Sequence, residues 1–238
     1  MPATPAYHIY PCGDHAITIS FGDVIDHAIN QQIIAFFHYL KSQQIFAVKD
    51  IIPAYHTVTL VYDLLLLKRK QPQKNVYESM RQYLINAAER FTISATDAPR
   101  QIRIPVCYDQ SLAPDLLSIA ETNRLDTEEI IKLHTSKTYR VYMIGFQPGF
   151  AYMGSIDEKI RVPRKSSPRT AVPAGSVGIA GEQTGIYPFQ SPGGWQLIGQ
   201  TPVSIFDAGK KMLCYLQPGD EVQFYAISLT EFKKEIPA

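Results

Sequence analysis

The sequence has 238 residues, of which 45% are hydrophobic and 19% are charged, enough apolar material to fill one large or two ordinary domains. Its formal net charge is +1 at pH 7, so charge indicates neither a nucleic acid nor an anionic membrane as partner. The longest apolar cluster, Leu64 to Leu67, is too short to span a bilayer. The three cysteines form neither a metal-binding pair nor a disulfide framework, and we expect a cytoplasmic protein.

The first hundred residues alternate between the strand period and the helix period. His8 to Tyr10 and Ala16 to Phe21 suit a hairpin of short strands, and the further elements are a helix from Asp26 to about Ser42, strands at Val48 to Ile52 and Thr57 to Tyr62, and a second helix from about Gln73 to Ala87. The predicted order is β-α-β-β-α. If one more strand follows, this order gives an α+β domain with a ferredoxin-like split βαβ topology. We expect this domain to occupy residues 1–95.

A compact polar break, Ala95 to Arg100, is the predicted domain boundary. The second domain should occupy residues 101–238 and contain a helical hairpin insertion at 112–137. Pro114-Asp115 opens its first helix, and Asp126 with Glu129 forms a capping box for the second. The short apolar segments that follow, punctuated by Pro and Gly, predict a closed or nearly closed all-β domain.

Common catalytic signatures are absent from the sequence. Gly209-Lys210 is followed by Lys211 and therefore forms no phosphate-binding loop, and Ala174 replaces the glycine that a nucleophile elbow needs before Ser176. The six histidines show no zinc-ligand spacing. A self-sufficient ATPase, serine hydrolase or zinc protease is excluded on these grounds, and His134 is predicted to be a cation at a helix C-terminus rather than a general base.

The stretch from Gly145 to Pro202 holds ten of the 14 glycines, which indicates turns and a surface where the backbone comes near a ligand or partner. No acidic residue lies between Glu158 and Glu182, whereas Arg164 and Arg169 are among five basic residues there. These two arginines are candidates to hold a carboxylate or phosphate, and the alternative is a solvated basic face.

Polar and aromatic residues accompany the glycine turns. Gln183, Tyr187, Gln190 and Trp195 fit a small pocket with few hydrogen-bonding groups. The alternative for Trp195 is a core residue, because its neighbours Leu197 and Ile198 have the pattern of buried residues.

Six ordered segments in this stretch resemble one known family. They are GFQPGFAY (145–152), the two Pro-Arg pairs at 163–164 and 168–169, VPAGSV (172–177), IAGEQTGIYP (179–188) and SPGGWQLIGQTP (191–202). The sequence is similar to the KipI family, also called allophanate hydrolase subunit 1 or the 5-oxoprolinase B subunit, and weaker matches extend the resemblance over nearly the whole chain. Gln200 departs from the family pattern, which usually has Arg there.

The resemblance implies a cyclophilin-like β-barrel as the second domain. It also implies one subunit of a bacterial 5-oxoprolinase, which works directly with the C subunit and together with the A subunit to open 5-oxoproline to glutamate with ATP hydrolysis. The expected cofactor is ATP, bound through the complex, and no metal site or covalent cofactor is evident in the sequence. The residues expected to contact substrate or partner are Gln147, Phe150, Arg164, Arg169, Gln183, Tyr187 and Trp195. The alternatives are an inhibitor of a sporulation sensor histidine kinase, a relative of urea amidolyase and, last, a prolyl isomerase.

Overall fold

The computed structural model describes residues 7–92 and 98–235. The chain divides after Ala98 into two compact units, which we call unit 1 and unit 2. Residues 95–97 of the predicted boundary lie outside the described residues. None of the helices within the described ranges is long and apolar enough to cross a membrane.

Unit 1 contains a four-stranded antiparallel sheet with the strand order β1-β2-β4-β3. Its strands are β1 (His8–Pro11), β2 (Ala16–Ser20), β3 (Val48–Pro53) and β4 (Thr57–Tyr62). Its helices are α1 (His27–Ser42), α2 (Leu64–Lys70) and α3 (Val76–Arg90). Buried side chains of β2, β4, α1 and α3 form one hydrophobic core, among them Ile17, Leu60, Phe36 and Leu84.

Each helix of unit 1 begins directly after a residue whose side chain caps it. The carboxylate of Asp26 accepts a hydrogen bond from the Ile29 amide at 2.9 Å, and the prediction of a helix from this cap is confirmed. Asn75 caps α3 in the same way, so that helix begins later than predicted. Helix α2, capped by Asp63, was not predicted, because four consecutive leucines carry no helical period.

The ferredoxin-like topology expected for unit 1 is not confirmed. It required a strand after the second long helix to join the sheet, whereas the next strand, β5 (Gln101–Cys107), pairs inside unit 2. The sheet edge beside β2 is instead occupied by β1, which forms a hairpin with β2. The alternation of polar and apolar residues in β5 suits either sheet, so local sequence did not decide its partner.

Unit 2 contains a closed barrel of seven strands in the order β10-β7-β6-β13-β5-β12-β9, and the prediction of a closed β-barrel is confirmed. The strands after β5 are β6 (Thr138–Ile144), β7 (Ala151–Gly154), β8 (Arg169–Val172), β9 (Ser176–Ala180), β10 (Gln183–Ile186), β11 (Ser191–Gly193), β12 (Gln196–Gln200) and β13 (Glu221–Ile227). Strand β13 pairs in parallel with β5 along its whole length and antiparallel with β6. Strands β8 and β11 form a separate two-stranded sheet.

Helices α4 (Leu116–Asn123) and α5 (Thr127–Thr135) lie between β5 and β6 in sequence, and α6 (Leu229–Glu235) follows β13. The prediction for His134 at the end of α5 is wrong, because the side chain is completely buried rather than a surface cation. Burial lowers its pKa from 6.5 to about 3, so the imidazole is neutral near pH 7.

Two hydrogen bonds fix the tautomer of His134. The hydroxyl of Thr184 donates to the carbonyl of Gly178 at 3.1 Å and therefore accepts from Nε2 of His134 at 3.0 Å. The other ring nitrogen, Nδ1, accepts from the Tyr108 hydroxyl at 2.7 Å. The imidazole also stacks on Phe224, with ring centroids 4.7 Å apart. His134 is thus a satisfied polar group of the barrel core.

Candidate functional site

Four aromatic side chains pack together beside the glycine turns of unit 2. The ring of Phe150 contacts those of Tyr152, Tyr187 and Trp195 edge to face, at centroid distances of 4.8, 5.3 and 5.4 Å. We call these four residues the aromatic cluster. Three of them, Phe150, Tyr187 and Trp195, were predicted from sequence as site residues. Trp195 is 4% exposed, which agrees with the alternative expectation that it belongs to a core.

Glycines lie where these rings touch the backbone. A Cβ atom at Gly185 would stand 3.0 Å from both the Phe150 ring and the Trp195 ring, and one at Gly178 would stand 3.0 Å from Cβ of Trp195. A Cβ atom at Gly193 would overlap the ring and hydroxyl of Tyr187. Part of the glycine concentration seen in the sequence is therefore required by ring packing and not by turns.

Replacing Gly185 with alanine is expected to lower the free energy of unfolding by about 1 to 3 kcal/mol, because the added methyl overpacks two rings. Denaturant unfolding followed by Trp195 fluorescence would measure this change. Gly194 is the matched control, since a Cβ there has no neighbour closer than 3.7 Å. Equal effects of the two substitutions would contradict this explanation.

Arg164 lies at the rim of the aromatic cluster. Its side chain is exposed, and Cζ stands 5.9 Å from the Trp195 ring centroid, within the range of a cation–π interaction. The chain on either side is held in place, because the carbonyl of Pro163 accepts a hydrogen bond from Gln196 and the amide of Lys165 donates one to Gly194. Burial raises the pKa of Tyr187, so its phenol is neutral beside this cation.

A buried carboxylate holds the other predicted arginine. Asp115, 4% exposed, accepts Nη2 of Arg169 at 2.6 Å and Nζ of Lys165 at 3.1 Å on one oxygen. Its other oxygen accepts the Leu197 amide at 2.7 Å. Burial alone would raise the pKa of Asp115, but these hydrogen bonds outweigh it and the pKa is lowered. Sequence reasoning missed this role because Pro114-Asp115 indicated only a helix start.

The predicted basic face is largely neutralised by ion pairs. Arg161 pairs with Glu182 at 2.7 Å, and Lys165 and Arg169 share Asp115. No ion pair of Arg164 occurs among the residues that the structure describes. The two arginines proposed as a pair therefore differ: Arg169 anchors the loop before β8, whereas Arg164 is available at the surface.

Three buried polar atoms near the aromatic cluster have no hydrogen-bond partner within the described part of the chain: Oε1 of Gln147, Nη1 of Arg169 and Oγ of Ser191. The carbonyl of Gln147 accepts the amide of Phe150 at 3.0 Å, and Ser191 lies on β11, which pairs with the β8 strand that begins at Arg169. Buried polar groups are normally satisfied, so these atoms require water or a ligand group.

Gln183, the remaining predicted site residue, lies on β10 opposite Ala180 of β9 and Gly154 of β7. Across residues 7–92 and 98–235, no group of three His, Cys, Asp or Glu side chains is arranged to hold a metal ion.

Residues 7–216 match the family described as "Carboxyltransferase domain, subdomain C and D". The 5-oxoprolinase B subunit of Bacillus subtilis is 40% identical over 235 residues, covering 96% of both chains. The 5-oxoprolinase B subunit of Haemophilus influenzae is 52% identical over 125 residues, which are 52% of this chain and 59% of that protein.

Among solved structures, that of TTHA0988 superposes with a TM-score of 0.76 at 33% identity. The match covers 90% of this chain and 40% of that longer one. The barrel and its aromatic cluster thus belong to a carboxyltransferase-domain fold that also occurs within larger chains. The chain belongs to the family of carboxyltransferase domains, subdomains C and D, and within it to the group formed by KipI and the 5-oxoprolinase B subunits.

Proposed function

We propose that this chain is the B subunit of a bacterial ATP-dependent 5-oxoprolinase. Together with the A and C subunits, it opens 5-oxo-L-proline to L-glutamate in the cytoplasm with hydrolysis of ATP, and it has no activity alone. The observation that carries the proposal is the 40% identity to the B subunit of a 5-oxoprolinase, over 96% of both chains. Contact with the C subunit is expected to be direct.

The geometry supports a binding role for the rim of the aromatic cluster. Arg164 offers an exposed guanidinium over Trp195, which suits a carboxylate or phosphate oxygen. The unpartnered oxygen of Gln147 can accept an amide N–H, and Nη1 of Arg169 can donate to an anion. These groups bind and orient, and they stabilise negative charge. The bond-breaking machinery is then completed by the partner proteins.

Reconstitution tests the proposed function. This chain is mixed with the purified A and C subunits, and ATP hydrolysis dependent on added 5-oxoproline is measured together with glutamate formation. We expect both to require this chain and to be absent when it is assayed alone. A mixture of the other two subunits that performs equally well without it would contradict the proposal.

Arg164→Ala is expected to lower kcat/KM for 5-oxoproline in the reconstituted enzyme by about 10- to 100-fold, the usual cost of losing a charged hydrogen bond. Arg164→Lys should recover only part of this loss, because lysine cannot form the planar two-donor contact. The matched control is Lys159→Ala, another exposed cation in the same stretch. Unchanged kinetics for Arg164→Ala would remove this residue from the proposed site.

A further inference from the structure

One face of unit 1 exposes apolar side chains together with basic ones. Leu65 and Leu66 of α2 are 70% and 42% exposed, and Phe46, in the loop between α1 and β3, is 46% exposed. The last turn of α2 consists of Lys68, Arg69 and Lys70. Residues three and four apart share a helix face, so the two leucines lie next to these cations. We call these six residues the α2 patch.

Two cations of the α2 patch, Lys68 and Lys70, are held in position, and none of its three cations forms an ion pair with a residue in the ranges 7–92 and 98–235. Nζ of Lys70 lies 3.9 Å from the centroid of the Phe46 ring, and Nζ of Lys68 donates to the Lys74 carbonyl at 3.1 Å. The nearest acidic residue in sequence, Asp63, is occupied by Lys49 at 3.0 Å and by the α2 amide of Leu66. The charge of the patch is therefore available to a ligand.

A groove adjoins the α2 patch. It has a volume of about 280 Å³ and lies between the end of α1 and β3. Its lining combines apolar residues, among them Leu40 and Ile51, with the cations Lys41 and Lys49 and the carboxylate of Asp50. In sequence, Phe46 lies between the lining residues Ile45 and Val48. The amide of Asp63, which precedes α2, donates a hydrogen bond to the carbonyl of Ala47 at 2.8 Å. Groove and patch thus form one largely apolar surface whose excess positive charge lies on Lys68, Arg69 and Lys70 of the patch, because Asp50 lines the groove and Lys49 is paired with Asp63.

We propose that this surface docks an acidic, amphipathic segment of another protein chain. Its apolar side chains would cover Leu65, Leu66 and Phe46 and enter the groove, while its carboxylates would face the lysines and Arg69. A membrane is the less suitable occupant, because Leu64 and Leu67 pack against the core of unit 1. Only two leucines of a two-turn helix then remain to enter a lipid surface.

The test uses the full chain and labelled synthetic helical peptides in fluorescence anisotropy titrations. One peptide presents leucines four residues apart flanked by glutamates, and a second has lysine in place of every glutamate. We expect the acidic peptide to bind at least about tenfold more tightly than the basic one, with an affinity that falls as salt rises. Equal affinities would overturn the proposal.

Variants locate the binding surface. Leu65→Ser with Leu66→Ser, and separately Lys68→Gln with Arg69→Gln and Lys70→Gln, should each weaken acidic-peptide binding by about tenfold or more. Lys233→Gln with Lys234→Gln on α6 removes exposed cations elsewhere and should leave binding unchanged. Circular dichroism melting verifies that every variant is folded. Binding that is insensitive to the α2 variants would overturn the proposal.

Two further measurements address other occupants of the surface. Stronger binding to vesicles rich in phosphatidylserine than to the acidic peptide, lost in the same α2 variants, would replace the protein segment with a membrane. Self-association in sedimentation velocity that the leucine variants abolish would replace it with a second copy of the chain. Weak vesicle binding and a monomer in solution are the results expected here.

Discussion

Asp115→Ala is expected to lower the free energy of unfolding by about 3 to 5 kcal/mol, the usual cost of removing one partner of a buried ion pair. Loss of the Asp115 carboxylate leaves the Leu197 amide without its side-chain acceptor and leaves Arg169 and Lys165 without their ion-pair partner. The loop before β8 would lose its attachment to the start of α4, whereas β12 would keep only the backbone hydrogen bond from the residue 115 amide to the Leu197 carbonyl. Trp195, the single tryptophan of the chain, is two residues from Leu197 and reports the transition.

The control for Asp115 is Glu182→Ala. Glu182 also pairs with an arginine at 2.7 Å, but its side chain is 57% exposed and that of Arg161 is 38% exposed. Solvent-exposed ion pairs contribute at most about 1 kcal/mol, so this variant should unfold nearly as the wild-type chain does. Similar losses in both variants would contradict the central role given to Asp115.

Acidification is expected to destabilise unit 2 through His134. The folded-state pKa of about 3 lies below the ordinary value of 6.5, so the folded state binds the proton less readily than the unfolded state does. The resulting stability is fully present above pH 6.5 and is lost as the pH falls toward 3. The full pKa difference contributes about 5 kcal/mol to the free energy of unfolding, and about 3 kcal/mol of this contribution is lost by roughly pH 4.5.

The measurement is the unfolding free energy against pH for the wild-type chain, His134→Gln and His38→Gln. His134→Gln should be less stable at pH 7, because the Tyr108 and Thr184 hydroxyls lose their ring partner, yet its stability should fall less steeply between pH 6.5 and 4.5. His38 is exposed, and its variant should keep the wild-type slope. Parallel curves for all three proteins would contradict the pKa assignment of His134.

The parts of the fold that were predicted from sequence depend on local signals. A side-chain cap and an apolar period specify α1, and short apolar segments between turns specify a barrel. The partner of β5 depends on residues far away: Gln101 contacts Glu221, 120 positions along the chain. No local pattern encodes that pairing, and the ferredoxin-like expectation failed for this reason.

The sequence indicated members of the aromatic cluster by residue type, but it did not indicate the ion-pair partner of Arg169. Phe150, Tyr187 and Trp195 do come together, since aromatic residues next to glycines can pack on the backbone. The pairing of Arg169 with Asp115 was not predicted, because nothing in a single sequence links a helix start to a loop 54 residues later. The exposure of Leu65 was not predicted either, because a run of leucines has the composition of a buried segment.

The pairing of β13 also determines when the barrel can assemble during synthesis on a ribosome. All four strands of the unit 1 sheet have been synthesised once Tyr62 has been added. The barrel strands β5 and β6 cannot pair fully with β13, their shared neighbour, until Ile227 has been added. Ile227 is 120 positions after Cys107, the last residue of β5, so at about 5 to 20 residues per second this interval lasts about 6 to 24 seconds. During that time two hydrophobic strand edges lack a partner, and chaperones that shield such edges would have their main task on this chain.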